Sequence, residues 1–205
     1  MEGAGSGGGM AWIFSFYPET REWKEVRKIP KAYEGSCLEY LPDTKTVWWN
    51  SHKTYHFDTA KGEWVDYNAK PSCGVNHGHT AYEPETRKVV AKVGAETWVF
   101  DISTSQWTRM KENDPCMAKI PLSTFCYDSM AKKFVLYTYI GANGKSAEPC
   151  LWLYDLAKNE WSDPKPQGEV PKVGNVAGYY DVTRNVTVIY SNAETWVYRC
   201  SNMKK

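Results

Sequence analysis

The sequence lacks a dominant charge. Its 25 basic and 24 acidic residues leave a formal net charge of +1, so it carries neither the basic footprint of a nucleic-acid binder nor an acidic tail. It also lacks a long apolar run. Nothing approaches the ~20 residues of a membrane-spanning helix, and no stretch sustains a helical period. Paired cysteine spacing is missing too: Cys37, Cys73, Cys116, Cys126, Cys150 and Cys200 are scattered, which argues against a zinc ribbon. An even count would permit disulfides, but a chain of 205 residues does not need them to fold, so free thiols are expected. Local catalytic signatures are absent: no Gly-x-Ser-x-Gly elbow, no His-Glu-x-x-His helix and no phosphate-binding glycine loop. That lowers the expectation of an enzyme without removing an active site built from several loops. The N-terminal residues 1–9 form a Gly/Ser tract that lacks the basic and apolar regions of a signal peptide. A cytoplasmic location is the resulting expectation. Asn185-Val186-Thr187 fits the N-glycosylation pattern, which matters only in a secreted chain.

What is present is a repeat. Thr97-Trp98-Val99-Phe100-Asp101 alternates apolar and polar residues, breaks at Ser103-Thr104-Ser105, and restarts at Trp107. That reads as two antiparallel strands joined by a short turn. The pattern recurs around Phe16, Phe57, Tyr154 and Tyr198, with anchors 41, 43, 54 and 44 residues apart. Trp23, Trp64, Trp107 and Trp161 each follow their anchor by 7 residues. A second pattern alternates with the first: a strand ending on Tyr40, Tyr82, Tyr127 or Tyr180, a charged turn, then a β-branched or aromatic strand. Together they make a four-stranded unit, with proline-bearing connectors at Pro30, Pro71, Pro121, Pro166 and Pro171 that cannot join a sheet centrally. Whole units are expected at about 34–67, 78–110 and 122–163, with partial ones at 10–27 and 175–200, in one domain spanning 10–205. The long 54-residue step holds an insertion at 141–149, expected to widen the loop between the second and third strands of its unit.

Four-stranded sheets repeated at such a period bury both faces by stacking radially. The expected fold is therefore an all-β propeller of about four blades. The chain resembles the kelch family, including the propeller of galactose-oxidase-like proteins. The resemblance rests on the Tyr-Asp turn, the aromatic-Asp anchor and the Trp seven residues later, and it covers nearly all of residues 11–200. The family's diglycine is Gly-Ala at best here, and Tyr17 and Arg199 stand where the anchor Asp is expected. Kelch-like propellers usually have six or seven blades. Three arrangements remain open: a part of a longer propeller, an open arc that pairs with a second copy, or a tight four-bladed ring with an irregular seam.

The functional expectation is a non-catalytic binding module that presents loops to a protein partner or to itself. The rival is a carbohydrate-active or galactose-oxidase-like enzyme, or its propeller. Candidate binding residues are Asn76, His77 and His79 near the start of a first strand, and Asn143 and Lys145 in the inserted loop. His79 matches a position that makes structural hydrogen bonds in kelch repeats; His77 is the freer of the two. No metal ligand set or cofactor is expected. Galactose-oxidase-like copper sites crosslink a Cys to a Tyr, but Cys126 and Tyr127 are neighbours on one strand and point to opposite faces. The in-phase tryptophans read as packing between blades. Nucleic acid and membrane partners are not expected; a small carbohydrate ligand is the second expectation.

Overall fold

The computed structural model describes residues 9–32, 36–58, 60–71, 73, 78–110, 116–117, 123–141, 146–171 and 174–200. All its regular elements there are strands. β1 (Gly9–Tyr17) and β2 (Glu22–Ala32) form a two-stranded hairpin. β3 (Cys37–Leu41), β4 (Thr46–Asn50), β5 (Thr54–Asp58) and β6 (Glu63–Asp66) pair in order as the first blade. The second blade is β7 (His79–Glu83), β8 (Lys88–Val93), β9 (Glu96–Asp101) and β10 (Gln106–Arg109). The third has β11 (Cys116–Met117), β12 (Ser123–Asp128), β13 (Lys133–Gly141), β14 (Ser146–Asp155) and β15 (Glu160–Ser162). The last has three strands: β16 (Val176–Asp181), β17 (Val186–Ser191) and β18 (Glu194–Tyr198). The sheets are antiparallel and arranged as a four-bladed β-propeller.

The aspartate that closes many of these strands explains the turns. Asp58 accepts the backbone N–H groups of Ala60 and Lys61 at 3.0 and 3.1 Å. Asp101 holds Ser103 and Thr104, and Asp128 holds Met130 and Ala131. A carboxylate that caps amides two and three residues ahead bends the chain back on itself. Each turn then ends on a left-handed residue: Lys45, Arg87, Lys132 and Asn185 between first and second strands, Gly62, Ser105 and Asn159 between third and fourth. A tight turn followed by one left-handed residue is a favoured antiparallel connection. The aromatic-Asp motif is thus a strand end plus its turn.

Period-two alternation makes each blade two-faced, and the faces meet in register. Between blades one and two, Leu41 and Trp48 pack with Tyr82, Val89, Phe100 and Trp107. Between blades two and three, Ala81, Val90 and Val99 meet Phe125, Tyr127, Phe134 and Tyr154. Between blades three and four, Cys126, Val135 and Tyr137 meet Ile189. Within each of the first three blades the anchor ring touches the following tryptophan: Phe57–Trp64 and Phe100–Trp107 at 5.2 Å, Tyr154–Trp161 at 5.0 Å between centroids. Burying rings of this size contributes about 1.5–3 kcal/mol each.

Two polar contacts repeat across the joints. The Trp107 indole donates to Thr54 Oγ1 at 2.8 Å, and Trp161 to Thr97 Oγ1 at 3.1 Å. On the surface, Arg87 reaches back to Asp43 and Lys132 to Glu85, each turn gripping the corresponding turn of the preceding blade. Trp48 and Trp49 are both buried, on opposite faces: the first against Phe100 and Trp107, the second stacked on Tyr55.

The inserted stretch differs from expectation. It does not only widen a loop: β13 and β14 run for nine and ten residues, and Ile140 pairs with Ser146 past an irregularity in the ladder. Part of the added sequence is therefore strand. A further strand, β11, that the repeat pattern did not foresee, pairs with Gly141 and Ile140 on the same edge of β13 as β12.

Candidate functional site: the central channel and its seam

The first strands of the blades, β3, β7, β12 and β16, wall one cavity of about 860 Å³. Its carboxyl, imidazole and thiol side chains come from three of them. Glu39 sits on β3 in the same phase as Cys37 and Leu41, so its carboxylate points toward the second blade. There Thr80 donates its hydroxyl to Glu39 Oε1 at 2.5 Å. Burial pushes the Glu39 carboxyl up to about 7, against the opposing pull of the Thr80 hydrogen bond. His79 opens β7. Burial pushes its imidazole down to about 4, so the ring is neutral at pH 7, and its Nε2 is buried with no hydrogen-bond partner among the described residues. Cys126 lies on β12 beside Thr187, 3.7 Å from its hydroxyl. Burial pushes this thiol up to about 12, with the negative charges of Asp128 and Glu39 adding to the effect.

These environments set what the channel can do. Glu39 changes charge near neutrality, while its neighbours stay neutral. A perturbed carboxyl on a cleft wall marks a candidate site on physical grounds. The thiol is not a thiolate, so Cys126 is a poor nucleophile. Cys37 is similar: burial raises it to about 12, and its Sγ donates to the Gly78 carbonyl at 3.4 Å. The described cysteines Cys37, Cys73, Cys126, Cys150 and Cys200 are free thiols. Among the described residues, no group of three or more His, Cys, Asp or Glu side chains converges as a metal site would require.

Of the residues singled out from sequence, His79 lines the channel. Asn76, His77, Asn143 and Lys145 lie outside the described residues. Cys126 and Tyr127 do point to opposite faces: Cys126 packs with Val135 and Ile189, Tyr127 with Phe134. Glu39 and Thr80 escaped the sequence reading. The available signal was phase, since Cys37, Glu39 and Leu41 alternate with Leu38 and Tyr40, which puts a carboxylate in the buried register of a strand.

The channel is open along one side. β3 packs beside β7, β7 beside β12 and β12 beside β16, whereas β16 and β3 share no comparable contact. Along this seam Leu38 and Tyr40 face Tyr179 and Val182, all four exposed. The contrast within the repeat is direct. Tyr82 and Tyr127 are 7% and 8% exposed, but Tyr40, in the same position of the first blade, is 59% exposed.

No family model and no curated protein matches the chain. A solved structure does. It is similar to a structural genomics protein of unknown function from Bacteroides thetaiotaomicron, with a TM-score of 0.58 at 8% identity. The likeness covers 83% of this chain and 42% of that one. It concerns the fold alone. This chain spans less than half of that protein's length.

Proposed function

We propose that the chain is a non-catalytic binding module of kelch-like build whose partner is a protein. The observation that carries the reading is the seam. Leu38, Tyr40 and Tyr179 place large apolar side chains in solvent beside the channel mouth, at repeat positions that the second blade buries as Thr80, Tyr82 and Ala81, and exposed Val182 extends the patch. Contiguous exposed apolar surface of this kind marks contact sites, and aromatic residues dominate binding energy at protein interfaces. The channel chemistry supports binding over catalysis: the imidazole is held neutral and the thiols protonated, and Glu39 is already engaged by Thr80. The turn aspartates and the in-phase Trp–Thr joints support the kelch-like assignment.

A photo-reactive phenylalanine analogue placed at position 40 or 179 tests this. Crosslinking to a polypeptide from either position, and not from exposed Glu85 on the turn of the second blade, is the expected result. A protein that yields no polypeptide adduct from the seam positions refutes the reading.

A further inference from the structure

The channel carries one carboxyl and no counter-charge of its own. Among its described lining residues Glu39 is the one acid, and none is Lys or Arg. Its volume of about 860 Å³ falls within the range of small-molecule sites, roughly 300–1,000 Å³. Ala81, Phe125, Val176 and Ala177 give it apolar walls, and the exposed rings of Tyr40 and Tyr179 stand at its mouth.

Glu39 is held by one oxygen. Thr80 donates to Oε1 at 2.5 Å, which leaves Oε2 with no hydrogen-bond partner among the described residues. The residue is not sealed in: it lines the cavity and is only partly buried. On β4 its partner across the ladder is Trp48, which carries no charge. β7 brings Thr80 and the neutral His79, and β12 brings Cys126, with Asp128 adding a further negative charge near that thiol. Lys92 on β8 is turned instead to the Trp161 ring of the third blade. The wall supplied by β16 is made of apolar residues and tyrosines.

We infer that the channel binds an alkylammonium group, with its nitrogen at Glu39 and its carbon stem along the apolar walls. A carboxylate in a cleft that strips away water is completed by a ligand that brings the missing positive charge. The ammonium N–H groups donate to Oε2, and the gap between β16 and β3 gives the stem a way in. An anion meets only negative charge, and a neutral alcohol leaves the carboxylate without a counter-ion. The site is distinct from the protein-contact surface proposed above and does not depend on it. A free amine and the lysine side chain of a partner share this chemistry.

Binding at Glu39 is linked to pH. In the empty channel burial holds the carboxyl near 7, and a bound cation favours its ionised form. Affinity is therefore lost as pH falls through 7 and levels off above it. The neighbours do not share the titration: His79 is neutral above about 4, and the Cys37 and Cys126 thiols stay protonated up to about 12. The amine keeps its charge throughout, since its own pKa is about 10.

The test is a titration of the full chain with n-butylammonium, followed by the NMR signals of Thr80, Ala81 and Ala177. Saturable shifts at these three positions are expected. Neutral n-butanol and anionic butyrate should give none. Affinity should fall about tenfold between pH 8 and pH 6, the loss set by a carboxyl near 7. Glu39→Gln keeps the size of the side chain and should abolish binding. Thr80→Val removes the hydrogen bond that pulls Glu39 down, so it should move the midpoint of the pH dependence upward. That shift does not follow from a merely structural Thr80. A lysine source is indicated if an acetylated Ala-Lys-Ala amide binds at least about tenfold tighter than n-butylammonium, the gain of a further anchored contact; equal or weaker binding indicates a free amine, and either result supports the site. No saturable shift with n-butylammonium at pH 8 overturns the inference. So does binding of butanol or butyrate with equal affinity, or binding that survives Glu39→Gln. None of these outcomes bears on crosslinking from positions 40 and 179, so the two readings fail separately.

Discussion

The Trp107 indole N–H donates to the Thr54 hydroxyl at 2.8 Å, across the joint between the first two blades and 53 residues apart in sequence. Both groups are buried, and Asn50 donates to the same hydroxyl oxygen at 2.9 Å. The contact ties the repeat's last strand in one blade to the third strand of the blade before. Replacing Trp107 by Ala should cost about 3–5 kcal/mol, the price of an emptied aromatic site. Thr54→Val should cost about 1–2 kcal/mol, since it strands the indole and removes one of the hydrogen bonds of Asn50, which keeps the Cys73 carbonyl. A double-mutant cycle with Trp107→Phe, read by denaturant unfolding, should show the two positions coupled. Trp23→Ala, at a ring 68% exposed, should change stability by less than about 0.5 kcal/mol.

Gly178 on β16 sits tightly against Thr124 of the third blade. A Cβ there would lie 2.7 Å from the Val188 carbonyl oxygen and 2.9 Å from two side-chain atoms of Thr124. Gly178→Ala should therefore destabilise by about 1–3 kcal/mol through overpacking. Pairing it with Thr124→Ser should recover only part of the loss, because the backbone oxygen cannot yield. Thermal unfolding of the two variants decides it.

The two perturbed channel groups tilt stability in opposite senses between about pH 4 and 7. His79 is held near 4, below its ordinary 6.5, so the unfolded chain binds more protons in that window and stability is lost as pH falls. Glu39 is held near 7, above its ordinary 4.5, so the folded chain binds more protons and stability is lost as pH rises. Relative to wild type, Glu39→Gln should make stability rise more steeply with pH across the window, and His79→Gln should make it rise less. Both side chains are only partly buried, so solvent screening holds each change to about 1–2 kcal/mol. Urea unfolding at pH 4.5, 5.5 and 7 measures it.

Turn aspartates should not be equivalent. Asp128 is fully buried and holds two backbone amides, whereas Asp58 is partly exposed with the same pair of contacts. Asp128→Asn should be tolerated better than Asp128→Ala, which leaves two partly buried hydrogen bonds unmade at about 1–3 kcal/mol. Asp58→Ala should cost about 1 kcal/mol or less, because water replaces the lost acceptor. The order of midpoints in a denaturant series checks the claim.

Strand identity and turn position were legible in the chain itself. Alternation around Trp98 and Phe100 is a local property, and so is the capping of Ser103 by Asp101, because both depend on residues a few positions apart. The in-phase recurrence of Phe57, Phe100 and Tyr154 with Trp64, Trp107 and Trp161 was enough to give an all-β array with a repeating joint. What the tertiary structure alone decided was which copy of each joint is covered. Tyr40 and Tyr82 are interchangeable by pattern, yet one lies in solvent and the other is buried, because cover comes from a neighbouring blade and not from the residue's own strand. The channel followed the same logic. Glu39 acquires its raised carboxyl only when β7 and β12 pack around it and strip away its water, with the Thr80 hydrogen bond pulling the other way, and desolvation is a sum over everything nearby, which no short stretch of sequence contains.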